Sequence, residues 1–407
     1  MRTPPANAWN GRWISFLLLG AGVLIVAVPG LLVYVRLTAT RVNPDPEKIR
    51  SVTNSPPSQQ WAAAVERGRN FVRTTLSEEN LPGMSVAVGV DGEIVWAEGF
   101  GVANLENSVP VTPDHRFRIG TASIPLTSAG IGLLVDERRL KLDDEVQSYV
   151  PEFGGKQFSP TIRQVMGHLG GIMGEDPDLG VLTSSHCEQT ADALPLFIKA
   201  PIARPAAEYQ YSTFGWVLLS AVVERAANKP LAAFLKERVF RPLGMLDTVR
   251  DSVDEPVPHE ATSYFPRVLS RASFGVEELP RFDSSCYAGS SGYLSTASDL
   301  VRFGMGINGA KLLRRETVQL LQTPQRAASG EETGYGLGWE LKTMLVDGQP
   351  VRTAGHEGTV WGRTSVSLLT LPERGIAVAV LSNISSLGGT FSVEEKIAQA
   401  FAASQGR

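Results

Sequence analysis

The sequence predicts an α/β fold of the α+β kind. Strands from both ends of the chain form one antiparallel sheet, helices flank it, and a helical region is inserted between the two ends. Near the amino end, the apolar runs 84–90 and 94–100 surround an Asp91-Gly92 turn, which is typical of a β-hairpin. Near the carboxyl end, the stretch TSVSLLTLPERGIAVAVLSN has the same form, with two strand-like runs around a tight turn. These two hairpins predict the sheet, and the helical patterns between them predict the inserted region.

Helical patterns also adjoin the hairpins on their outer sides. One predicted helix runs from Trp61 to about Glu79, and a closing helix runs from about Ser392 to Ala403. No polar linker interrupts the chain after residue 60. The sequence therefore predicts three parts: a short tail and transmembrane anchor at 1–36, a proline-rich polar tether at 37–59, and one domain at 60–407.

The composition is that of a globular protein, because 43% of the 407 residues are hydrophobic and 20% are charged. A net charge of −4, from 38 basic and 42 acidic residues, argues against a nucleic-acid partner. The five histidines show no metal-ligand spacing, which argues against a metal site. Cys187 and Cys286 are too few for a disulfide scaffold. They are interpreted as two buried thiols, with pairing in an oxidising compartment as the alternative.

An uncharged run from Trp13 to Val35 predicts a single transmembrane helix. As a helix it spans about 34 Å, at ~1.5 Å per residue, enough to cross a hydrocarbon core of roughly 30 Å. The alternative, a cleaved signal peptide, has an apolar stretch of only ~7–15 residues, and no clean A-x-A site follows this run. Arginines lie on both sides of the run, so charge counting does not set its orientation.

Four segments in order carry a recognisable arrangement. FRIGTASIPLT at 117–127 opens a long helical stretch, and TIRQVMGHLGGI at 161–172 follows it. YQYSTFGW lies at 209–216, and GHEGTVWG at 355–362 comes just ahead of the carboxyl-terminal strands. Together they resemble the β-lactamase-related serine hydrolases: class C β-lactamases, low-molecular-weight penicillin-binding proteins, related esterases, and the β-lactamase-like serine proteases also found in mitochondria. The resemblance covers about residues 60–405 and implies the serine β-lactamase and penicillin-binding-protein-like fold.

The chemistry of this family implies roles for the residues in these segments. A serine at the head of a buried helix attacks a carbonyl carbon and forms an acyl-enzyme. A lysine three residues later, with the tyrosine of another motif, accepts the proton of that serine. A further motif lines one wall of the cleft, and two backbone amides form the oxyanion hole. The resemblance implies no cofactor and no metal, and a small acyl or peptide-like ligand as the partner.

Two of the family's positions are substituted when these roles are carried over residue by residue. Thr121 stands at the nucleophile and Ile124 at the lysine, whereas Tyr211 keeps the tyrosine. The asparagine of the tyrosine motif is replaced by Thr213. The remaining positions are the wall His356-Glu357-Gly358, the substrate-binding positions Thr213 and Gly358, and the oxyanion amides of Thr121 and Thr359.

Ile124 is the substitution with the larger consequence. Thr121 keeps a hydroxyl, but Ile124 has no amine to accept its proton or to lower the pKa of Tyr211 from about 10. Taking Ser123 as the nucleophile does not restore a base, because Leu126 then stands at the lysine. Loss of one member of a catalytic unit costs roughly a millionfold in rate in the best-studied protease.

Three functions stay open, of which the first is preferred. The first is a membrane-anchored pseudoenzyme that binds peptide-like, cell-wall or acyl ligands. The second is a slow hydrolase that forms an acyl-enzyme on Thr121 with Tyr211, and the third is a scaffold whose cleft has no role. The family implies that the domain lies on the extracytoplasmic side. His168 is interpreted as a packing residue, and His356 as either a ligand contact or a structural hydrogen bond.

Overall fold

The structure is a computed structural model that describes residues 29–174, 182–268, 271–360, 363–386 and 393–405. Its strands are β1 (Ser51–Thr53), β2 (Gly83–Val90), β3 (Glu93–Asn104), β4 (Val109–Pro110), β5 (Phe117–Arg118), β6 (Val249–Arg250), β7 (Tyr264–Pro266), β8 (Val276–Glu278), β9 (Tyr293–Ser295), β10 (Glu340–Val346), β11 (Gln349–Val360), β12 (Arg363–Leu371) and β13 (Ile376–Ser386). Its helices are α1 (residues 29–38), α2 (Ala62–Glu78), α3 (Ile124–Asp136), α4 (Ile162–Met166), α5 (Thr190–Phe197), α6 (Thr213–Ala227), α7 (Leu231–Leu235), α8 (Ala288–Ser291), α9 (Ala297–Asn308), α10 (Arg315–Leu321) and α11 (Val393–Ala402).

The main sheet joins the two ends of the chain, as the sequence predicts. Its strand order is β1-β3-β2-β13-β12-β11-β10, and each of these neighbours is antiparallel. The junction between the ends is the β2–β13 pair, in which Val90 lies opposite Ile376 and Met84 opposite Ser382. A small separate sheet, β5-β9-β6, lies in the inserted region. The predicted fold class is confirmed.

The predicted local elements are also confirmed. In the first hairpin, Asp91 and Gly92 have φ angles of 51° and 95°, the left-handed pair that a type I′ turn requires. The second hairpin turns through Pro372–Arg374 into β13. The predicted first and closing helices correspond to α2 and α11.

Two layers of core cover the main sheet. On one face α2 and α11 pack together, where Trp61 stacks on Phe401 with ring centroids 5.5 Å apart. On the other face, α9 and the inserted helices, including the almost wholly buried α3 and α6, form the larger cluster. Successive residues of a strand point to opposite faces, so Val86 and Val88 join the first layer and Ala87 the second. This arrangement fixes the start of α3 against β11.

Most of the predicted anchor, 13–35, falls within residues 1–28 and so lies outside the described residues. Its described end belongs to α1, which exposes Leu31 and Leu37. In the described ranges, no helix combines the length and the apolar character that crossing a membrane requires.

Part of the segment predicted as a tether contacts the domain. β1 pairs with β3, and the Asn43 side-chain amide donates to the carbonyl oxygens of Leu81 and Pro82. A short polar segment can gain backbone hydrogen bonds at a sheet edge without apolar periodicity, which is why its sequence pattern did not predict this contact. The division of the chain at residue 60 stays a prediction.

The interpretation of the two cysteines as separate buried thiols is wrong. Cys187 and Cys286 form a disulfide, with their Cα atoms 5.0 Å apart although 99 positions separate them in the sequence. The guanidinium of Arg250 supports the same junction by donating to the carbonyl oxygens of Cys187 and Glu188. Only the folded chain brings these positions within bonding range, so sequence spacing could not decide the pairing.

We expect the paired substitution Cys187→Ala and Cys286→Ala to lower the free energy of unfolding by about 2–4 kcal/mol, because the bond closes a loop of roughly 100 residues in the unfolded chain. Denaturant unfolding of the full chain without reductant measures the loss. Reductant should destabilise the wild type similarly and leave the double variant unchanged. The prediction is wrong if reductant fully reduces the disulfide of the wild type without changing its unfolding midpoint.

Candidate active site

The nucleophile position lies where the small sheet leads into α3. After β5, Gly120 has a φ of 51°, and Gly120–Ser123 form one turn of 3-10 helix that continues into α3. This left-handed backbone is costly for residues with a Cβ, so glycine suits the bend. The bend brings Thr121 to β11, where its hydroxyl donates to the Glu357 carbonyl over 3.1 Å.

Ile124, at the lysine position, is a core residue. It begins α3, and 0% of its surface is exposed. Its side chain belongs to the hydrophobic cluster between the sheet and the inserted helices. An apolar side chain here avoids the desolvation that a buried ammonium would incur. Ser123, the alternative nucleophile, is also fully buried, and its Oγ points into the interior rather than into a cleft.

Tyr211 is held just before α6. The Ser212 hydroxyl caps this helix by accepting from the Gly215 amide, and it donates to the Met173 carbonyl. The hydroxyls of Tyr211 and Thr121 are hydrogen-bonded to each other. Although 37% of the surface of Tyr211 is exposed, burial around its hydroxyl raises the pKa of the phenol well above its usual value, and the nearby carboxylate of Glu340 raises it further.

The Thr121 hydroxyl contacts two acceptors, the Glu357 carbonyl and the phenol oxygen of Tyr211, and it has one proton to share between them. The contact with Thr121 lowers the pKa of Tyr211, but burial raises it more, so the phenol keeps its proton. General-base catalysis needs a deprotonated partner for the threonine proton. A protonated phenol is not such a partner.

His168 positions Tyr211 by packing. Its ring stacks on the phenol ring with centroids 4.2 Å apart, and its Nδ1 accepts from the Ser212 amide over 3.0 Å. The proton is therefore on Nε2, which is buried and has no partner among the described residues. Burial lowers the pKa of His168 well below its usual value, so the ring is neutral. With Nδ1 engaged and Nε2 protonated, His168 has no free lone pair with which to act as a base.

His356 braces the strand β11. Its Nδ1 lies 2.6 Å from the Glu357 carbonyl, which can only accept, so Nδ1 carries a proton. Its Nε2 lies 2.8 Å from the hydroxyl of Tyr335, which can donate to it. The Glu357 carbonyl thus accepts from both Thr121 and His356. Of the two roles predicted for His356, the structural hydrogen bond is the one that this geometry displays.

The wall formed by β11 approaches the nucleophile turn closely because of Gly358. A Cβ at this position would lie 2.1 Å from the Ile119 carbonyl oxygen. The N–H and C=O of Glu357 face away from β12, towards Glu340 and Thr121. The register of the β11–β12 pair shifts between Gly358 and Thr359. The oxyanion roles of the Thr121 and Thr359 amides stay predictions.

The structure brings Thr121, Tyr211, the Glu357 carbonyl and His356 into one hydrogen-bonded group. Thr213, predicted to bind substrate, begins α6 and is half-buried. Two neighbours of this group were missed: Tyr335, which contacts His356, and Glu340, whose Oε1 accepts from the Glu357 amide over 3.2 Å. The run GYGLGWE at 334–340 was the available signal, because its tight glycine spacing indicates a specific backbone path beside a strand.

Fold and site together define a protein of the serine β-lactamase and penicillin-binding-protein class. A family model described as Beta-lactamase matches residues 68–402, and the chain belongs to this family of β-lactamase-like serine hydrolases. The resemblance predicted from the four motifs is thereby confirmed.

Relatives and solved structures agree with this assignment. The mitochondrial serine β-lactamase-like protein LACTB of Homo sapiens is 27% identical, over 83% of this chain and 80% of the relative. Penicillin-binding protein 4* of Bacillus subtilis is 26% identical, over 76% of this chain and 70% of the relative. The structure of D-amino acid amidase from Ochrobactrum anthropi SV3 with D-phenylalanine has a TM-score of 0.70 at 20% identity, over 84% of this chain and 99% of that one. This structural likeness shows the shared fold.

Proposed function

We propose that the chain is a membrane-anchored member of the β-lactamase family that binds peptide-like, cell-wall or acyl ligands and has lost the hydrolytic rate of its relatives. The observation that carries this proposal is the fully buried Ile124 at the lysine position. It supplies no amine beside Thr121, and removing one member of a catalytic unit costs about as much as removing the whole unit.

The state of Tyr211 supports the same conclusion. A phenol of ordinary pKa, about 10, is deprotonated to roughly one part in a thousand at pH 7. Burial raises the pKa of Tyr211 above that value, so the deprotonated fraction is smaller still. In relatives with a lysine, a neighbouring ammonium would favour the phenolate. Without this cation Tyr211 stays a protonated phenol, which cannot accept the Thr121 proton as a base.

Ligand binding is supported by backbone features of the cleft that do not depend on a lysine at position 124. β10 pairs with β11 only as far as Gly355, and beyond it side chains, those of Glu340 and Thr121, contact the backbone of Glu357. An extended peptide that displaces them can pair with this stretch of β11. Gly358 keeps this edge close to the nucleophile turn, and the amides of Thr121 and Thr359 are the family's donors to a ligand carbonyl. None of these features depends on the lost lysine, so recognition of an acyl group can outlast its hydrolysis.

The anchor and the disulfide support an extracytoplasmic site of action. The uncharged run 13–35 has the length of a membrane span. The Cys187–Cys286 bond is of a kind that persists in oxidising compartments. The human relative is described as mitochondrial, which is consistent with a membrane-bounded compartment for a protein of this kind.

We expect the purified full-length chain in detergent to take up less than about a few per cent of one equivalent of a fluorophosphonate or fluorescent penicillin within hours, because the base that activates the hydroxyl is missing. Gel fluorescence with mass spectrometry measures the labelled fraction, and Thr121→Ala is the matched control. Candidate acyl ligands should still raise the melting temperature of the unlabelled chain.

The hydrogen bond between Thr121 and Tyr211 favours one second candidate, a slow hydrolase that acylates Thr121. Stoichiometric labelling that disappears in Thr121→Ala would establish this hydrolase and contradict the proposal above. A chain that is neither labelled nor stabilised by any acyl ligand would instead be a scaffold.

A further inference from the structure

Glu340 occupies the edge of β11 beside the candidate nucleophile. It is the first residue of β10, and its Oε1 accepts from the Glu357 amide over 3.2 Å and lies 3.7 Å from His356 Nδ1. The carbonyl of the same Glu357 accepts from Thr121. The carboxylate of Glu340 therefore sits on the strand edge where an extended ligand would lie, at the amide that such a ligand would otherwise use.

The charge at this edge is negative. Lys342 Nζ lies 3.3 Å from Glu340 Oε2 and 3.2 Å from Glu357 Oε1, so one ammonium is shared by two carboxylates and one negative charge remains. Burial raises the pKa of Tyr211 and raises that of Tyr209 to about 12, and the negative charge of Glu340 contributes to both increases. A ligand in the cleft meets this field.

Two partly exposed aromatic side chains lie near this charge. The Tyr211 ring centroid lies 6.5 Å from that of His356, whose Nδ1 is 3.7 Å from Glu340. The Tyr209 ring centroid lies 6.0 Å from that of Tyr335, the bridge partner of Glu340. Tyr209 is 39% exposed and Tyr211 is 37% exposed, and His168 packs against both, with ring centroids 5.6 Å and 4.2 Å away. The buried histidine leaves these phenol rings little freedom to rotate away. Exposed aromatic faces attract cations and also pack against apolar rings, so the pair complements the negative edge rather than opposing it.

We propose that Glu340 makes the cleft selective for ligands with an ammonium group next to an apolar or aromatic side chain, and that it repels ligands with a carboxylate at that position. This inference deepens the proposed ligand binding and rests on it. The ammonium would lie between the Glu340 carboxylate and the partly exposed rings of Tyr209 and Tyr211. Amino-terminal peptide ends and amino-acid amides are the class of ligand with this chemistry.

The test uses three probes that share a benzyl group and differ in charge: phenylalanine amide is cationic, N-acetylphenylalanine is anionic, and N-acetylphenylalanine amide is neutral. Calorimetry with the full-length chain at pH 6.5, where an α-amino group with a pKa of about 7.7–8.0 is protonated, gives the dissociation constants. We expect the cationic probe to bind at least about tenfold more tightly than the anionic probe at low salt, and the ratio to shrink at high salt.

Glu340→Gln is the discriminating variant, because its amide oxygen can still accept from Glu357 while the charge is removed. It should bring the two charged probes to within about twofold of each other. Glu237→Gln removes a charge from a surface ion pair with Lys229 and should keep the wild-type ratio.

Two results would overturn the role of Glu340 while leaving ligand binding intact: equal affinity for all three probes, or a ratio that Glu340→Gln does not change. Failure of all three to bind would overturn this inference. The proposed loss of hydrolysis is tested separately: stoichiometric covalent labelling of Thr121 would contradict it.

Discussion

The double substitution Thr121→Ser and Ile124→Lys is expected to raise ester hydrolysis by at least about a thousandfold over the wild-type chain. It restores a hydroxyl without the extra methyl and an amine one helical turn away on the same face of α3. The gain follows from the reverse experiment, in which removal of a single catalytic member costs up to roughly a millionfold. Turnover of a chromogenic ester by the full-length chain measures it.

Burial at position 124 would keep an introduced lysine amine partly neutral, which is the form that can accept a proton. Ile124 is fully buried, and burial lowers the pKa of a lysine, so more of the amine is neutral and able to accept a proton. An ammonium or amine there can also hydrogen-bond the hydroxyls of residue 121 and Tyr211, which already contact each other. Some stability is lost on burying this group, so a thermal melt must accompany each assay.

The single variants are the controls. Thr121→Ser alone and Ile124→Lys alone should each stay within about tenfold of the wild-type rate, because members of a catalytic unit are not additive. Adding Tyr211→Phe to the double variant should return it to that background. A folded double variant with no gain in turnover would show that the family's motifs have been placed on the wrong residues.

The sequence predicts those parts of the molecule that are encoded locally. The Asp91-Gly92 turn between two apolar runs determines a hairpin because only a few residues take its left-handed backbone cheaply. The four motifs determine the family because each keeps its order and flanking pattern, and the family fixes the fold. Ile124 at the lysine position was likewise visible from the residues alone.

The remaining features depend on contacts that distant segments make only after folding. The hydroxyl of Tyr335 meets His356 across the cleft wall, and Glu340 reaches Glu357 from the neighbouring strand. The Cys187–Cys286 bond joins positions 99 apart. None of these pairs has a spacing that periodicity or motif patterns can detect, because strand register and loop path set the distances.

The buried ion pair Arg118–Asp251 stabilises the small sheet that precedes the nucleophile turn. Arg118, in β5, donates through Nε to Asp251 Oδ2 over 2.8 Å, and both side chains are less than a tenth exposed. Asp251 also accepts from the Ser284 hydroxyl, and its amide donates to the Gly292 carbonyl next to β9. The pair therefore ties together the small sheet that leads directly into Gly120 and Thr121.

We expect Arg118→Met to lower the free energy of unfolding by about 3–5 kcal/mol, because it leaves the Asp251 carboxylate buried without its cation. The double variant Arg118→Met with Asp251→Leu should lose less than Arg118→Met alone, since it removes the uncompensated Asp251 carboxylate. Glu260, which lies 3.5 Å from Arg118, keeps Arg281 as its partner. Denaturant unfolding of the wild type, Arg118→Met, Asp251→Leu and the double variant gives the coupling energy. The stability of Arg118→Lys should lie between those of the wild type and Arg118→Met, because an ammonium keeps the charge but not the paired geometry of a guanidinium. Losses that simply add in the double variant would mean that packing, not the ion pair, holds this sheet beneath the nucleophile turn.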